Sequence, residues 1–222
     1  MRVIRGIAFI GGEGPSLERC RDLGAEGDII VAADSGLLLA ERSGVKLDRI
    51  LGDMDSLDDL RRLEKYPPDR IASYPPDKDY TDTELALTFL WGKGCTETWL
   101  IGGGGGRTDH LFAIRSLFER TPCPDRWFTA GEDIYCLKDP HPLLLQYGLR
   151  TMVSVFPLGE GPWRAKSLNL KWSLNGLGWE RGFFGISNVT MEEQFSVSAE
   201  QGRFLVLVQT GAGKENFPPS QG

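Results

Sequence analysis

The sequence predicts an α/β fold: an N-terminal, mostly parallel sheet with helices on both faces, followed by a smaller all-β sandwich domain. Over the first ~140 residues, short β-branched and apolar runs alternate with segments of helical periodicity. From about residue 125 the helical period fades, and β-type runs separated by turns continue to Val208. Strands that alternate with helices at this spacing are typical of parallel sheets, because each helix carries the chain back to the same edge. We therefore expect three segments, an α/β domain (1–140), a β-sandwich domain (141–210) and a disordered tail (211–222).

The elements of the first domain follow from their end signals. Predicted strands cover residues 3–10, 28–33, 49–51, 70–74 and 98–101. Predicted helices cover residues 16–23, 37–42, 57–65 and 109–120, the third capped by Ser56. A further helix begins at a capping-box pair, Thr81 and Glu84, and continues through the apolar run 85–91. This pair places Asp82 in the first turn of that helix.

From Trp127 to Val208 the prediction rests on β-type runs alone, which fit a second, antiparallel β domain in this half of the chain. These are residues 127–130, 134–137, 151–156, 167–171, 195–198 and 204–208. We expect them to pair antiparallel.

Charge and composition exclude several classes of function. The net charge of −6 argues against general nucleic-acid binding, which needs a basic face. No apolar run approaches the roughly 20 residues that span a bilayer. The four cysteines are widely spaced and contain no C-x-x-C pair, so neither a zinc site nor a disulfide framework is predicted. We expect a cytoplasmic protein that binds neither nucleic acid nor membrane.

Aspartates collect where predicted strands end, and such ends line the ligand crevice of an open parallel sheet. Asp53 and Asp55 lie one residue apart after the third strand, and paired carboxylates suit Mg²⁺. The alternative is an acidic turn in which Asp55 or Ser56 caps the next helix. Asp34 follows the second strand and could line the same crevice.

Three more carboxylates, Asp77, Asp79 and Asp82, lie within six residues. Taken alone, Asp82 could have no other role than to stabilise the helix N-terminus through the helix dipole. Three together repel one another unless a cation compensates, and that cation is either a metal or the Lys78 ammonium.

A run of five glycines, residues 102–106, follows the last strand of this domain and precedes Arg107 and a helix start. Bare backbone N–H groups, a helix N-terminus and a guanidinium together predict a phosphate site. No Gly-Lys-Ser/Thr follows, so it is not a P-loop. The alternative is a flexible surface turn. The glycines at residues 11–14 could form an edge of the same pocket. His110 is a candidate contact in the site because of its position after Arg107.

Three ordered motifs closely resemble those of thiamine pyrophosphokinases, particularly the bacterial forms. They are Gly52-Asp53-Met54-Asp55-Ser56, then residues 79–87 with the sequence DYTDTELAL, then Gly105-Gly106-Arg107-Thr108-Asp109-His110. The likeness runs from about residue 5 to 210. It implies a transfer of pyrophosphate from ATP to the thiamine hydroxyl, giving thiamine diphosphate and AMP.

The resemblance also implies roles for individual residues. The implied catalytic set is Asp53, Asp55, Asp82, Arg107 and Asp109, with Mg²⁺ held by Asp53, Asp55 and Asp82. The implied ATP-site residues are Asp34, Lys78, Asp79, Thr81, Gly105, Gly106 and His110; some family members carry Gln at the position of Lys78. Ser187, Asn188 and Phe204 are implied for thiamine, with Trp163, Trp172 and Trp179 as other aromatic candidates.

The first domain would thus bind nucleotide and the second thiamine, in a homodimer with active sites at the subunit interface. Two other functions stay open. One is a Mg²⁺-dependent nucleotide phosphohydrolase that uses the same carboxylates with water as nucleophile. The other is a nucleotide- or thiamine-binding protein without catalysis.

Overall fold

The computed structural model describes residues 3–138 and 142–211. The chain divides into two compact units, Met1–Ala130 and Gly131–Gly222. The domain boundary expected between residues 140 and 141, and the expected tail beyond Gly211, lie outside the described residues.

The first unit alternates strands with helices. Its strands are β1 (Arg5–Ile10), β2 (Ile29–Ala33), β3 (Arg49–Gly52), β4 (Ile71–Ser73), β5 (Glu97–Gly102) and β6 (Arg126–Phe128). Its α-helices are α1 (Leu17–Leu23), α2 (Gly36–Ser43), α3 (Asp82–Gly92) and α4 (Thr108–Leu117). Ser16 caps α1 by accepting from the backbone N–H of Arg19, as its position before the helix predicts.

The strands of this unit form a parallel sheet in the order β6-β5-β1-β2-β3-β4. Strand β1 pairs with β2 on one side, where Gly6 lies opposite Ile29, and with β5 on the other, where Arg5 lies opposite Glu97. The strand order therefore reverses at β1. In open α/β sheets the ligand crevice lies beyond the carboxyl ends of the strands at such a reversal.

Helices cover both faces of the sheet, as predicted. Side chains alternate along β1, so Ile7 and Phe9 share one face and join a buried cluster with Leu37 of α2. On the other face, a Cβ added at Gly6 would lie 2.9 Å from Cδ2 of Leu90 in α3. The central strand is therefore buried on both sides, which explains its continuous apolar sequence.

The α-helix predicted over residues 57–65 is wrong. A 3₁₀-helix spans Leu60–Lys65 instead, and its N-cap is Asp59, which accepts from the backbone N–H of Arg61 at 3.0 Å. Ser56 does not cap this helix; its hydroxyl donates to Asp55 Oδ1 at 3.1 Å. Asp59, three residues after Ser56, thus caps the helix in place of the serine.

The second unit consists of antiparallel strands. They are β7 (Glu132–Leu137), β8 (Leu143–Gln146), β9 (Met152–Leu158), β10 (Arg164–Leu168), β11 (Gly185–Val189), β12 (Gln194–Gln201) and β13 (Arg203–Gln209). One set pairs in the order β11-β9-β13-β7 and the other in the order β10-β12-β8. Sequence patterns did not predict β8 and β11, both short. The antiparallel pairing expected for residues 127–130 is wrong, because β6 pairs parallel with β5 in the first unit.

The core of the second unit lies between its two sets of strands. Val155 and Val206 of one set and Phe195 and Val197 of the other belong to the same buried cluster. Two antiparallel layers around a shared core are a β-sandwich, so the predicted fold class is confirmed. In the part of the chain that the structure describes, no helix has the length and apolar character needed to cross a membrane.

Candidate active site

The loops that follow β2 and β3 are held in sparsely populated backbone conformations. Asp34 and Met54 have positive φ angles of 47° and 63°, and Gly52, the last residue of β3, has a φ of 143°. A positive φ is uncommon for residues with a side chain, and such conformations cluster at functional sites. The backbone N–H of Asp34 donates to Leu51 O at 2.9 Å, which ties the two loops together.

Three carboxylates converge at these loops. Asp34, Asp53 and Asp55 each offer an oxygen within 4.8 Å of the others. Oxygen Oδ1 of Asp34 is buried and has no hydrogen-bond partner in the described structure. A buried anionic oxygen without a partner is costly, and a divalent cation would remove that cost. The donor set therefore fits Mg²⁺, which takes hard oxygen ligands.

Lys78 bridges this group to a fourth carboxylate. Its Nζ lies 2.6 Å from Asp53 Oδ2 and 3.2 Å from Asp82 Oδ1. The Lys78 hydrogen bond holds the pKa of Asp53 below its ordinary value. Burial works to lower the pKa of Lys78, but the two carboxylates outweigh it and raise that pKa. Lys78 is therefore a permanent ammonium within the cluster.

Asp82 occupies the first turn of α3, where the predicted capping box is present. Thr81 and Glu84 exchange hydrogen bonds, with Thr81 N–H donating to Glu84 Oε2 at 2.8 Å. Burial raises the pKa of Asp82, and the nearby charges of Asp53 and Asp34 act in the same direction. Asp82 is not among the three carboxylates that converge within 4.8 Å, whereas Asp34 is; the metal contact expected for Asp82 stays a prediction.

Gly52 had no role assigned from sequence, yet the cluster depends on it. A Cβ at this position would lie 3.2 Å from Asp82 Oδ1 and 3.3 Å from Asp34 Cβ. Only glycine combines this φ with such close approach. The signal in the sequence was the glycine that directly precedes Asp53.

Two glycine loops meet at the reversal of strand order. The loop after β1 and the loop after β5 form an antiparallel bridge, in which Glu13 N–H donates to Gly104 O at 2.7 Å and Gly104 N–H donates back at 2.9 Å. Trp127 Nε1 donates to Gly102 O at 2.7 Å and so holds the start of the loop after β5. Sequence reasoning had placed Trp127 only in a strand.

Beyond this bridge the second loop turns outward. Gly105 and Gly106 are exposed and have φ angles of 63° and 66°. Arg107 and Asp109 follow at the start of α4 and form a two-point ion pair, with distances of 2.6 and 3.1 Å. Both side chains are largely exposed, and His110 is exposed beside them. The guanidinium is therefore available to exchange its carboxylate for a phosphate.

The remaining acidic residues of the segment before α3 do not belong to the group of three convergent carboxylates. Asp77 and Asp79 are exposed, and neither is among the three convergent carboxylates. Thr81 is exposed, and its hydroxyl serves the capping box.

In the second unit, Ser187 and Asn188 lie on β11. Ser187 has a positive φ of 60°, at a register shift between β11 and β9. The Asn188 side chain is 6% exposed, accepts from Trp172 N–H at 3.0 Å and donates to Trp172 O at 2.6 Å. Trp172 is 54% exposed, whereas Phe204 is fully buried against Trp179 with ring centroids 5.0 Å apart. The Lys171 ammonium lies 4.5 Å from the centroid of the Trp172 ring, on one face. Trp172 is thus an exposed aromatic ring, and Phe204 is not.

The fold and the carboxylate cluster together define an α/β enzyme domain followed by a β-sandwich. Solved structures of thiamine pyrophosphokinases have this fold. The Bacillus subtilis protein is 22% identical with a TM-score of 0.78, and the match covers 93% of this chain and 99% of that one. The Geobacillus thermodenitrificans protein is 23% identical (TM-score 0.73; 95% and 99% covered), and the Candida albicans protein is 17% identical (TM-score 0.69; 93% and 89% covered).

Residues 20–122 match the family model described as thiamin pyrophosphokinase, catalytic domain. This segment therefore matches a thiamin pyrophosphokinase catalytic domain, in agreement with the resemblance of the three motifs. The matched segment contains the whole carboxylate cluster, Lys78 and Arg107. A comparison with curated proteins gave no significant match.

Proposed function

We propose that this chain is a thiamine pyrophosphokinase, which transfers a pyrophosphoryl group from ATP to the hydroxyl of thiamine and releases AMP. The observation that carries the proposal is the convergence of Asp34, Asp53 and Asp55 inside the segment that matches the catalytic-domain family. In this reaction the thiamine oxygen bonds to the β-phosphorus of ATP, and the bond from that phosphorus to the α–β bridging oxygen breaks. The hydroxyl proton is released to water, and AMP departs with the bridging oxygen.

The three convergent carboxylates are the proposed holders of Mg²⁺. Their hard oxygens and the partnerless Asp34 Oδ1 support this assignment. The bound cation would supply positive charge against the phosphates and the departing bridging oxygen. Asp82 is proposed to keep Lys78 in place beside Asp53, at a Nζ–Oδ1 distance of 3.2 Å.

The glycine loops and Arg107 are the proposed phosphate side of the site. Gly105 and Gly106 carry no side chains that would block a phosphate, and α4 begins three residues after Gly105. We propose that Arg107 leaves Asp109 and binds two phosphate oxygens. A guanidinium can do this with a pair of parallel hydrogen bonds. Charge on the phosphates grows in the transition state, so this contact strengthens as the reaction proceeds.

Thiamine is proposed to bind through the second unit, in a homodimer whose active sites include Ser187 and Asn188 of the partner subunit. The exposed aromatic face of Trp172, held by Asn188, supports this assignment over Phe204. Phe184 and Ile186 are also exposed, at 52% and 55%, next to Ser187. An aromatic face suits the two flat rings of thiamine, of which the thiazolium is cationic.

The experiment is a chromatographic product assay with Mg²⁺ and ATP, run with and without thiamine. The proposal predicts equal amounts of AMP and thiamine diphosphate, formed only when thiamine is present. Release of phosphate or ADP without thiamine would favour the phosphohydrolase instead. Binding of ATP and thiamine without any product would favour a non-catalytic protein.

A further inference from the structure

The ammonium group of Lys78 lies between the carboxylates of Asp53 and Asp82, where it compensates negative charge. Its side chain is 13% exposed and lies between Asp53 and Asp82, whose side chains are 10% and 21% exposed. One of the two negative charges of Asp53 and Asp82 is therefore compensated from within the chain. An ammonium at 2.6 Å from one carboxylate and 3.2 Å from the other interacts strongly with both, because little water screens it.

Asp53 is shared between this ammonium and the proposed metal site. Oxygen Oδ2 pairs with Lys78, while Oδ1 accepts the backbone N–H of Asp55 at 3.2 Å. Both oxygens of Asp53 thus have partners before any metal arrives. Asp34 differs, since its buried Oδ1 has no partner in the described structure. A cation that binds Asp34, Asp53 and Asp55 must compete with Lys78 for Asp53.

We propose that Lys78 is a positioning residue that acts as a built-in counter-ion, weakening the hold of the site on a lone divalent cation. The inference rests on the proposed function, since it concerns the metal site of that reaction. Asp53 becomes free for the metal when the nucleotide's phosphates attract the Lys78 ammonium. The cation consequently enters with the nucleotide and not ahead of it.

The first test measures Mn²⁺ binding to the nucleotide-free protein by the EPR signal of free Mn²⁺. Lys78→Met should bind Mn²⁺ about tenfold more tightly than wild type, because the competing charge is gone. Lys78→Arg keeps the charge and should stay close to wild type. Lys93→Met removes a charge at the far end of α3 and controls for net charge. Lys78→Gln repeats the test with a polar side chain, and circular dichroism checks that each variant is folded.

The second test measures calorimetric binding of α,β-methylene-ATP without divalent cation. Lys78→Met should bind this analogue about tenfold more weakly than wild type, because the phosphates lose the ammonium that they attract. Lys93→Met should bind it as wild type does. If wild type and Lys78→Met bind the analogue equally well, the Lys78 ammonium does not move from Asp53 to the phosphates.

The outcomes separate the inference from the proposed function. Equal or weaker Mn²⁺ binding by both Lys78→Met and Lys78→Gln, with binding by wild type intact, overturns the role of Lys78 alone. Absence of Mn²⁺ binding in every variant overturns the metal site of the proposed function as well. Loss of Mn²⁺ binding in Asp53→Asn, together with tighter binding in the two Lys78 variants, supports both.

Discussion

The side-chain amide of Asn188 binds both backbone polar groups of Trp172. Its Oδ1 accepts from Trp172 N–H at 3.0 Å, and its Nδ2 donates to Trp172 O at 2.6 Å. The same Oδ1 accepts from Val189 N–H at 2.9 Å. One buried side chain thus joins β11 to the segment that presents the exposed indole, which gives Asn188 a structural role beside the thiamine contact proposed for it.

Replacing Asn188 with Ala should lower the free energy of unfolding by about 2 kcal/mol, because buried backbone groups lose their partners. Urea denaturation measures this change. Asn175→Ala is the matched control, since Asn175 Oδ1 accepts one exposed hydrogen bond, from Ser167 N–H at 2.9 Å. The control should cost clearly less. A loss in Asn188→Ala no larger than that of the control would contradict the account.

Replacing Gly52 with Ala should disturb both stability and the carboxylate cluster. The new Cβ would lie 3.2 Å from Asp82 Oδ1 at a φ of 143°, so we expect a loss of about 1–3 kcal/mol in thermal or urea unfolding. Gly92→Ala is the control, because its added Cβ meets nothing within 4 Å. That change should be neutral or slightly stabilising. An equal change in stability in the two variants would show that the close approach of Asp82 to Gly52 does not exclude a side chain at position 52.

Glu84 predicts a pH dependence of stability. Burial works to raise its pKa, but the Thr81 backbone N–H and the Arg120 guanidinium outweigh burial and lower the pKa from its ordinary value of 4.5. A pKa lowered by folding adds stability above the ordinary value, and that stability is lost as pH falls through the lowered value. Glu84→Gln keeps the cap but not the charge.

The unfolding free energies of wild type and Glu84→Gln should therefore differ most near pH 7 and converge as the pH falls below 4.5. Urea unfolding at a series of pH values measures this. If the difference in unfolding free energy between the two proteins stays constant over this pH range, the charge of Glu84 is not its cause.

Replacing Arg107 with Lys should weaken ATP binding roughly tenfold, because the variant keeps the charge but loses the paired hydrogen bonds. Isothermal titration calorimetry measures the affinity. Thermal stability should not change, since the Arg107–Asp109 ion pair is exposed to solvent. Arg115→Lys is the control, because Arg115 lies at the other end of α4 and pairs with Glu119 just beyond that helix. Unchanged ATP affinity in Arg107→Lys would argue against a phosphate contact.

Local signals predicted most of the first unit. Apolar runs located its strands, and the Thr81–Glu84 capping box located the start of α3 at Asp82, where the structure has it. Such signals are written in a few adjacent residues, so a sequence displays them directly. The error over residues 57–65 arose where two caps compete, Ser56 and Asp59, because sequence alone does not rank them.

Contacts between distant segments were harder to predict. The aspartates were recognised as a cluster, but the approach of Asp34 to Asp53 depends on how β2 and β3 pair. Strand β11 escaped detection because it has only five residues and contains a positive φ at Ser187 and a register shift. A strand interrupted in this way shows no clear period of two. The burial of Phe204 likewise depends on Trp179, which is remote in sequence.

The most direct test of the central claim is the rate of AMP release from ATP and thiamine, measured with Mg²⁺ and with a chelator. Asp53→Asn is measured in parallel, because Asp53 contacts both Lys78 and the proposed metal position. We expect wild-type turnover only with Mg²⁺, and a loss of about 100-fold in Asp53→Asn with the fold retained. Turnover that survives chelation, or near wild-type turnover in Asp53→Asn, would contradict the account.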